Sequence, residues 1–295
     1  MRLKCIAHQG IIAVLSFSAL LLTSCGNNSN KNSDDLAAGD STQNAVVKIN
    51  GEIFSVPSPI QFTFLIKKSG AVYSKEILNA TNKSSQYSTN FSKALNLGIY
   101  GADLGYVIIY DQTQDAIAYL NSTKKIGDEL GLVGVFDAPL IGRFTKNIGN
   151  QDSLLFLTSD AYRMGDAYLK DNDRMDVSAL ILAGGWIESL YLATCISKTK
   201  PNEDITMRIA EQKLSLQSVI KSLTQYNIEP ELMDEFKDLS TVYDGVELNY
   251  VYEKPTTDPA KKMTTINSKT EVKITPEQIE SITQKIKAIR NKIVG

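Results

Sequence analysis

Apolar side chains recur at spacings of three and four along most of the chain, the mark of helices buried on one side. The first such pattern follows Ser58, a capping residue, and Pro59, suited to a first turn. It runs from Ile60 through Phe64, Ile66, Val72 and Ile77 to Leu78. Further helical patterns cover about 90–110, 113–130, 152–170, 175–198, 203–226, 229–243 and 276–293, separated by short loops with Gly, Asn or Pro. Period-two alternation is confined to Val46–Val56, centred on Asn50-Gly51, the residues a type I′ turn prefers. The expectation is an all-α fold, an antiparallel helical array or bundle of about eight helices with a short N-terminal β-hairpin.

Two stretches interrupt this pattern. Residues 25–45 are rich in Asn, Ser, Asp and Gly and bury too little apolar surface to order themselves, so they read as a disordered tether. Residues 253–274 are rich in Lys, Thr and Pro and read as a linker. After it, Thr275-Pro276-Glu277-Gln278 is a strong helix start. Ile279, Ile282, Ile286, Ile289 and Ile293 then form a two-heptad seam. Such a seam either docks on the bundle itself or presents the helix 275–295 to a partner in the cell envelope. The partition expected is thus 1–24, 25–45, a helical domain over 46–252, 253–274 and 275–295.

The first 24 residues combine a positive start at Arg2 and Lys4 with an apolar run from Ile11 to Leu22. That run is too short for a stable membrane-spanning helix, which needs roughly 20 apolar residues, and reads as a signal peptide. The junction Leu22-Thr23-Ser24-Cys25 resembles the lipobox of bacterial lipoproteins. The resemblance implies cleavage before Cys25, acylation of that cysteine, and a durable membrane anchor through two or more chains. In lipoproteins of Gram-negative bacteria an Asp after the cysteine often marks inner-membrane retention. Here Gly26 follows, which implies the outer membrane, with the domain facing the periplasm.

Composition narrows the chemistry. The only histidine, His8, lies within the signal, and after Cys5 and Cys25 only Cys195 remains as a thiol. Histidine-dependent nucleophile arrangements are therefore excluded from residues 25–295, as are zinc sites built on His or paired Cys. Cys195 sits among apolar neighbours without a basic residue beside it and reads as inert. Of 31 basic side chains, Arg2 and Lys4 leave with the signal, so 29 face 33 acidic ones. With no basic cluster denser than Lys261-Lys262, nucleic-acid binding finds no support. No cofactor motif is present. Asp171-Asn172-Asp173-Arg174-Met175-Asp176 imitates a calcium loop but lacks Gly at its sixth position and a Glu at its twelfth, so no metal is expected.

Tyr110-Asp111-Gln112-Thr113-Gln114-Asp115-Ala116-Ile117-Ala118-Tyr119-Leu120 through Gly127-Asp128-Glu129-Leu130-Gly131 resembles the second helix of a tetratricopeptide repeat. No second copy follows at about the 34-residue period, so the resemblance implies a helical hairpin and carries no peptide-binding residues.

Two helices carry polar groups within apolar faces. In 97–110, Gly98, Gly101, Ala102 and Gly105 open one side to a neighbouring helix, and Asp103 shares a face with Tyr106 and Tyr110. In 171–193, Arg174 and Glu188 share a face beside Gly184-Gly185-Trp186. A buried carboxylate must be paired or functional. One reading is an ion-pair network across the two helices. The other is a small ligand pocket lined by Asp103, Tyr106, Tyr110, Arg174, Trp186 and Glu188. The leading expectation for the whole chain is a non-catalytic binding or scaffold lipoprotein. The alternatives are a small-molecule carrier with a pocket beside Trp186, or a carboxylate-based glycan or peptidoglycan hydrolase, whose chemistry needs only two acidic side chains.

Overall fold

The computed structural model describes residues 58–295 apart from 227, together with the backbone of 45–49 and 52–56. The hairpin expected over 46–56 is not established, because its turn at Asn50-Gly51 and all its side chains lie outside the described residues. So do the signal read over 1–24 and the tether read over 25–45, apart from the backbone of Ala45.

Nine α-helices are present among the described residues: α1 (Pro59–Lys68), α2 (Asn90–Ile109), α3 (Thr113–Glu129), α4 (Ala138–Lys146), α5 (Gln151–Asp171), α6 (Met175–Thr199), α7 (Glu203–Gln225), α8 (Pro230–Tyr243) and α9 (Pro276–Val294). Their starts follow the capping signals. Ser58 accepts from the Ile60 N–H, and Thr275 and Gln278 form a reciprocal capping box. Helix α1 is shorter than its apolar pattern. The chain leaves it at Ser69-Gly70 and crosses the domain as an irregular segment to a 3₁₀ turn at Thr81–Ser85. Helix α4 was not expected, although Asp137 caps it, accepting from Leu140 N–H at 2.8 Å, and Pro139 occupies its first turn.

The core is built on α2 against α6. Leu95 meets Gly184 and Asp103 meets Glu188, so the two helices run in the same direction, where an antiparallel array was expected. Three intervening helices return the chain to its starting end, which lets non-consecutive helices pair parallel. Helix α9 runs against α6 in the opposite sense, with Lys198 beside Glu280 and Glu188 beside Arg290. Helix α6 is long and apolar enough to cross a membrane by length and composition, but 83% of its apolar window is buried inside the domain. Its all-round apolar surface is accounted for by neighbours on every side, chiefly α2, α1, α7 and α9.

Close approach of α2 and α6 depends on glycine. A Cβ at Gly98 would lie 2.0 Å from the Ile181 carbonyl oxygen, and one at Gly184 would lie 1.9 Å from that of Leu95. Backbone atoms cannot yield as a flexible side chain can, so each methyl would push the helices apart.

Residues 253–274, expected as a linker, lie within an extended arm. Strand β1 (Glu247–Val251) pairs antiparallel with β4 (Lys269–Lys273), and farther out β2 (Thr256–Asp258) pairs with β3 (Met263–Thr265). The threonines of the stretch read as a linker favour extended backbone, where a β-branched side chain is comfortable.

Gly98→Ala and Gly184→Ala are each expected to lower stability by about 1–3 kcal/mol. Gly142→Ala, on an open face of α4 with nothing near its Cβ, is expected to raise it by about 0.5–1 kcal/mol. Urea unfolding midpoints at constant slope give the comparison, and equal effects at all three positions would contradict the close contact.

Candidate functional site

The polar groups of the interior converge where α2, α6 and α9 meet. Asp103 and Glu188 are both 0% exposed. Arg290 of α9 reaches Glu188 in a bidentate pair, Nε donating to Oε2 at 3.0 Å and Nη2 to Oε1 at 3.1 Å. Its guanidinium also lies over the Tyr191 ring, 4.6 Å from the centroid. Asp103 Oδ2 accepts the backbone N–H of Asn79 at 3.0 Å. Asp103 Oδ1 meets no donor, and the neighbouring Glu188 carboxylate is itself an acceptor. A hydrogen bond between the two therefore requires a proton on Asp103.

Burial is the main cause holding the Asp103 pKa well above the carboxylate range, and the neighbouring Glu188 charge adds to it. Burial raises Glu188 as well, opposed by Arg290. Arg290 is pushed up by Glu188 against its own burial. Burial and the Glu188 charge both favour a neutral Asp103 beside a Glu188 carboxylate that is paired with the Arg290 guanidinium.

Asparagines and tyrosines extend the cluster. Asn79 Nδ2 donates to Tyr87 Oη at 3.0 Å and Asn96 Oδ1 at 3.3 Å, and Tyr119 Oη donates to the Asn79 carbonyl at 2.9 Å. Asn96 Nδ2 donates to the Ile293 carbonyl at 3.0 Å near the end of α9. These bonds tie the irregular segment before the 3₁₀ turn and the last turn of α9 to α2. Each buried amide is satisfied, which is what permits so many polar groups inside.

The six residues expected to line one pocket do not come together. Asp103 and Glu188 meet, but their cation is Arg290, which the sequence reading did not select. Arg174 lies fourteen residues before Glu188 on the same side of α6, roughly 21 Å at 1.5 Å per residue. Its Nη1 donates instead to the Leu130 carbonyl at 2.8 Å. Tyr106 stacks on Tyr73 at a centroid distance of 5.6 Å, and Tyr110 packs tilted against it at 5.9 Å. Tyr106 Oη accepts from Ser74 N–H, and Tyr110 Oη donates to the Ala71 carbonyl, so both fasten residues 71–74 to α2. Trp186 is buried against Phe236, and its indole N–H donates to Gln212 Oε1 at 3.0 Å.

The isoleucine seam is also turned inward. Ile282, Ile286, Ile289 and Ile293 are buried in the core, and Ile279 packs on it half-buried. Of the two readings of the seam, docking on the bundle itself is the one that this burial fits, since neighbouring helices of the same chain cover that face.

At the surface, a groove of about 470 Å³ lies between α7, the base of the arm and the start of α9, with Met207, Glu247, Val272, Lys273 and Gln278 among its walls. A smaller one of about 100 Å³ lies among α2, α3, α4 and α5, beside Ile117, Phe144 and Ile148. None of the six expected pocket residues lines either groove. The arm carries the other notable surface: Tyr250, Tyr252, Met263 and Ile266 are 68%, 69%, 54% and 74% exposed. The sign of this surface in the sequence was apolar residues within a polar, Thr-rich stretch.

No protein-family model, curated protein or solved structure matches the chain.

Arg290→Met leaves Glu188 buried without its counter-charge and is expected to cost about 3–5 kcal/mol. Combining it with Glu188→Leu should recover most of that loss in urea unfolding. The raised Asp103 pKa means that its contribution is fully present below the ordinary carboxylate range and is lost as pH rises through the folded value. Asp103→Asn, neutral at every pH, is therefore expected to flatten the decline in stability on the alkaline side. An unchanged slope would contradict the proton placed on Asp103.

Proposed function

We infer that this chain is a lipid-anchored protein of a Gram-negative outer membrane, tethered through Cys25 and facing the periplasm, that binds a protein partner without catalysing a reaction. The carrying observation is the arm, which presents Tyr250, Tyr252, Met263 and Ile266 to water on a ribbon of two short strand pairs. A two-stranded ribbon is marginal in water by itself, and large apolar side chains clustered on one projection mark an interaction surface. The lipobox resemblance and the Asn- and Ser-rich stretch after Cys25 supply the anchor and the reach in this reading.

The alternatives find less support in the interior. A hydrolase needs two accessible carboxylates with distinct roles, whereas Asp103 and Glu188 are fully buried and Arg290 neutralises the ionised one. A carrier with its ligand beside Trp186 needs space there, and the indole is in contact with Phe236 and Gln212. The arm takes the role that one of the two readings of the isoleucine seam offered to the last helix.

Two comparisons test this reading. Cys25→Ser is expected to move the protein from the membrane to the soluble fraction, and retention in the membrane would remove the anchor. A variant with Ser at positions 250, 252, 263 and 266 should fold normally, since all four side chains are exposed, but lose a partner captured from detergent-solubilised envelope. Equal capture by both forms would exclude the arm as the binding surface.

A further inference from the structure

We propose that the partner of the arm is a second copy of this chain, paired antiparallel through the outer edge of β4 about a two-fold axis at Thr270. This rests on the arm being the interaction surface and names what it binds.

Among the described residues β4 has a strand on one side only, β1, so its other edge has backbone N–H and C=O groups available for a further strand. Edge strands ordinarily discourage such pairing with charge of one sign. Here the edge reads Lys269-Thr270-Glu271-Val272-Lys273, with signs alternating on one face. Two-fold pairing centred on Thr270 sets Lys269 of each copy opposite Glu271 of the other. Centred on Glu271, the same strand would oppose Lys269 to Lys273 and Glu271 to itself, which is unfavourable. The charge pattern thus accepts a second copy and discriminates between registers separated by one residue at the axis.

The other face supports the same register. Leu248, opposite Val272, packs with it half-buried against the domain, and Tyr250 lies opposite Thr270. Tyr252 lies one step beyond the paired residues on the same side, opposite Ser268, whose hydroxyl bonds Glu253. In the four-stranded sheet, the row Leu248, Val272 continues through Ser268 to Tyr252 of the second copy. The central row becomes Tyr250, Thr270, Thr270, Tyr250. Pairing therefore places both exposed tyrosines of each arm in a continuous face with the other copy's, and extends a marginal ribbon to four strands.

The experiment uses the full chain in its membrane. Thr270→Cys places two thiols directly across the axis, at the close separation of opposed residues in an antiparallel sheet. Mild oxidation is expected to give a disulfide dimer, while Thr257→Cys, away from the axis, gives little. Glu271→Lys in the Thr270→Cys background should reduce the dimer about tenfold, since two favourable pairs become repulsive. Adding Lys269→Glu should restore it. Circular dichroism checks that these exposed substitutions leave the helical domain folded. Absence of the Thr270→Cys dimer, or failure of the double exchange to restore it, overturns self-pairing. If the four-serine arm variant still loses an envelope partner in that case, arm binding stands with a different protein as its object. If that variant loses nothing, both readings fall together.

Discussion

Arg290 and Glu188 are buried charges whose energetic cost is tolerable only while each has the other, and this mutual dependence joins the end of the chain to its middle. Helix α9 contributes its isoleucines to the core, but apolar packing alone would accept several rotations or shifts of such a helix. A bidentate pair accepts one. Asp103, carrying a proton, closes the third side of the cluster and makes the α2–α6 contact part of the same polar constraint. Asn79 and Asn96 extend it to the irregular segment over 70–80 and to the final turn of α9.

That constraint also explains how α6 belongs in a folded domain despite being apolar enough for a membrane. Its surroundings are protein on nearly all sides, and the acidic side chain buried at its middle, Glu188, is neutralised from α9, while Asp176 and Lys198 lie near its two ends. The glycines facing α2 permit close approach of the two backbones in the same contact that sets Asp103 beside Glu188. Small side chains and paired polar groups act together here: the former permit the approach, and the latter select its register.

Outside the core the balance is reversed. Most buried polar side chains of the interior are hydrogen-bonded, with Asp103 Oδ1, Asp128 Oδ1 and Tyr162 Oη the exceptions among the described residues, while the arm leaves aromatic and apolar side chains in water on a two-stranded ribbon. A pair of buried carboxylates read from sequence alone invites a catalytic or ligand-binding interpretation. Both are fully enclosed, and Glu188 is paired with the Arg290 guanidinium, which fits a structural part. The stretch read as a plain linker supplies part of the arm, including the exposed Met263 and Ile266.

The helical periods, the capping residues at Ser58 and Thr275, and the glycines of 97–110 and 184–185 are local properties, and they were enough to mark most of the helices and the two helices that meet most closely. Histidine's absence from residues 25–295 likewise needs no fold to exclude its chemistry. Local pattern failed where the outcome depended on distant partners. The apolar run after Pro59 ends its helix at Lys68 because Tyr73, Tyr106 and Tyr110 hold the following residues in an extended path. The isoleucine seam carries no information about whose surface it meets. Arg290 was invisible as the partner of Glu188 because 102 residues separate them, and no spacing rule spans such a distance. Parallel packing of α2 and α6 was beyond reach for the same reason: periodicity fixes which face of a helix is apolar, and only the closed core determines which helix, running in which direction, covers it.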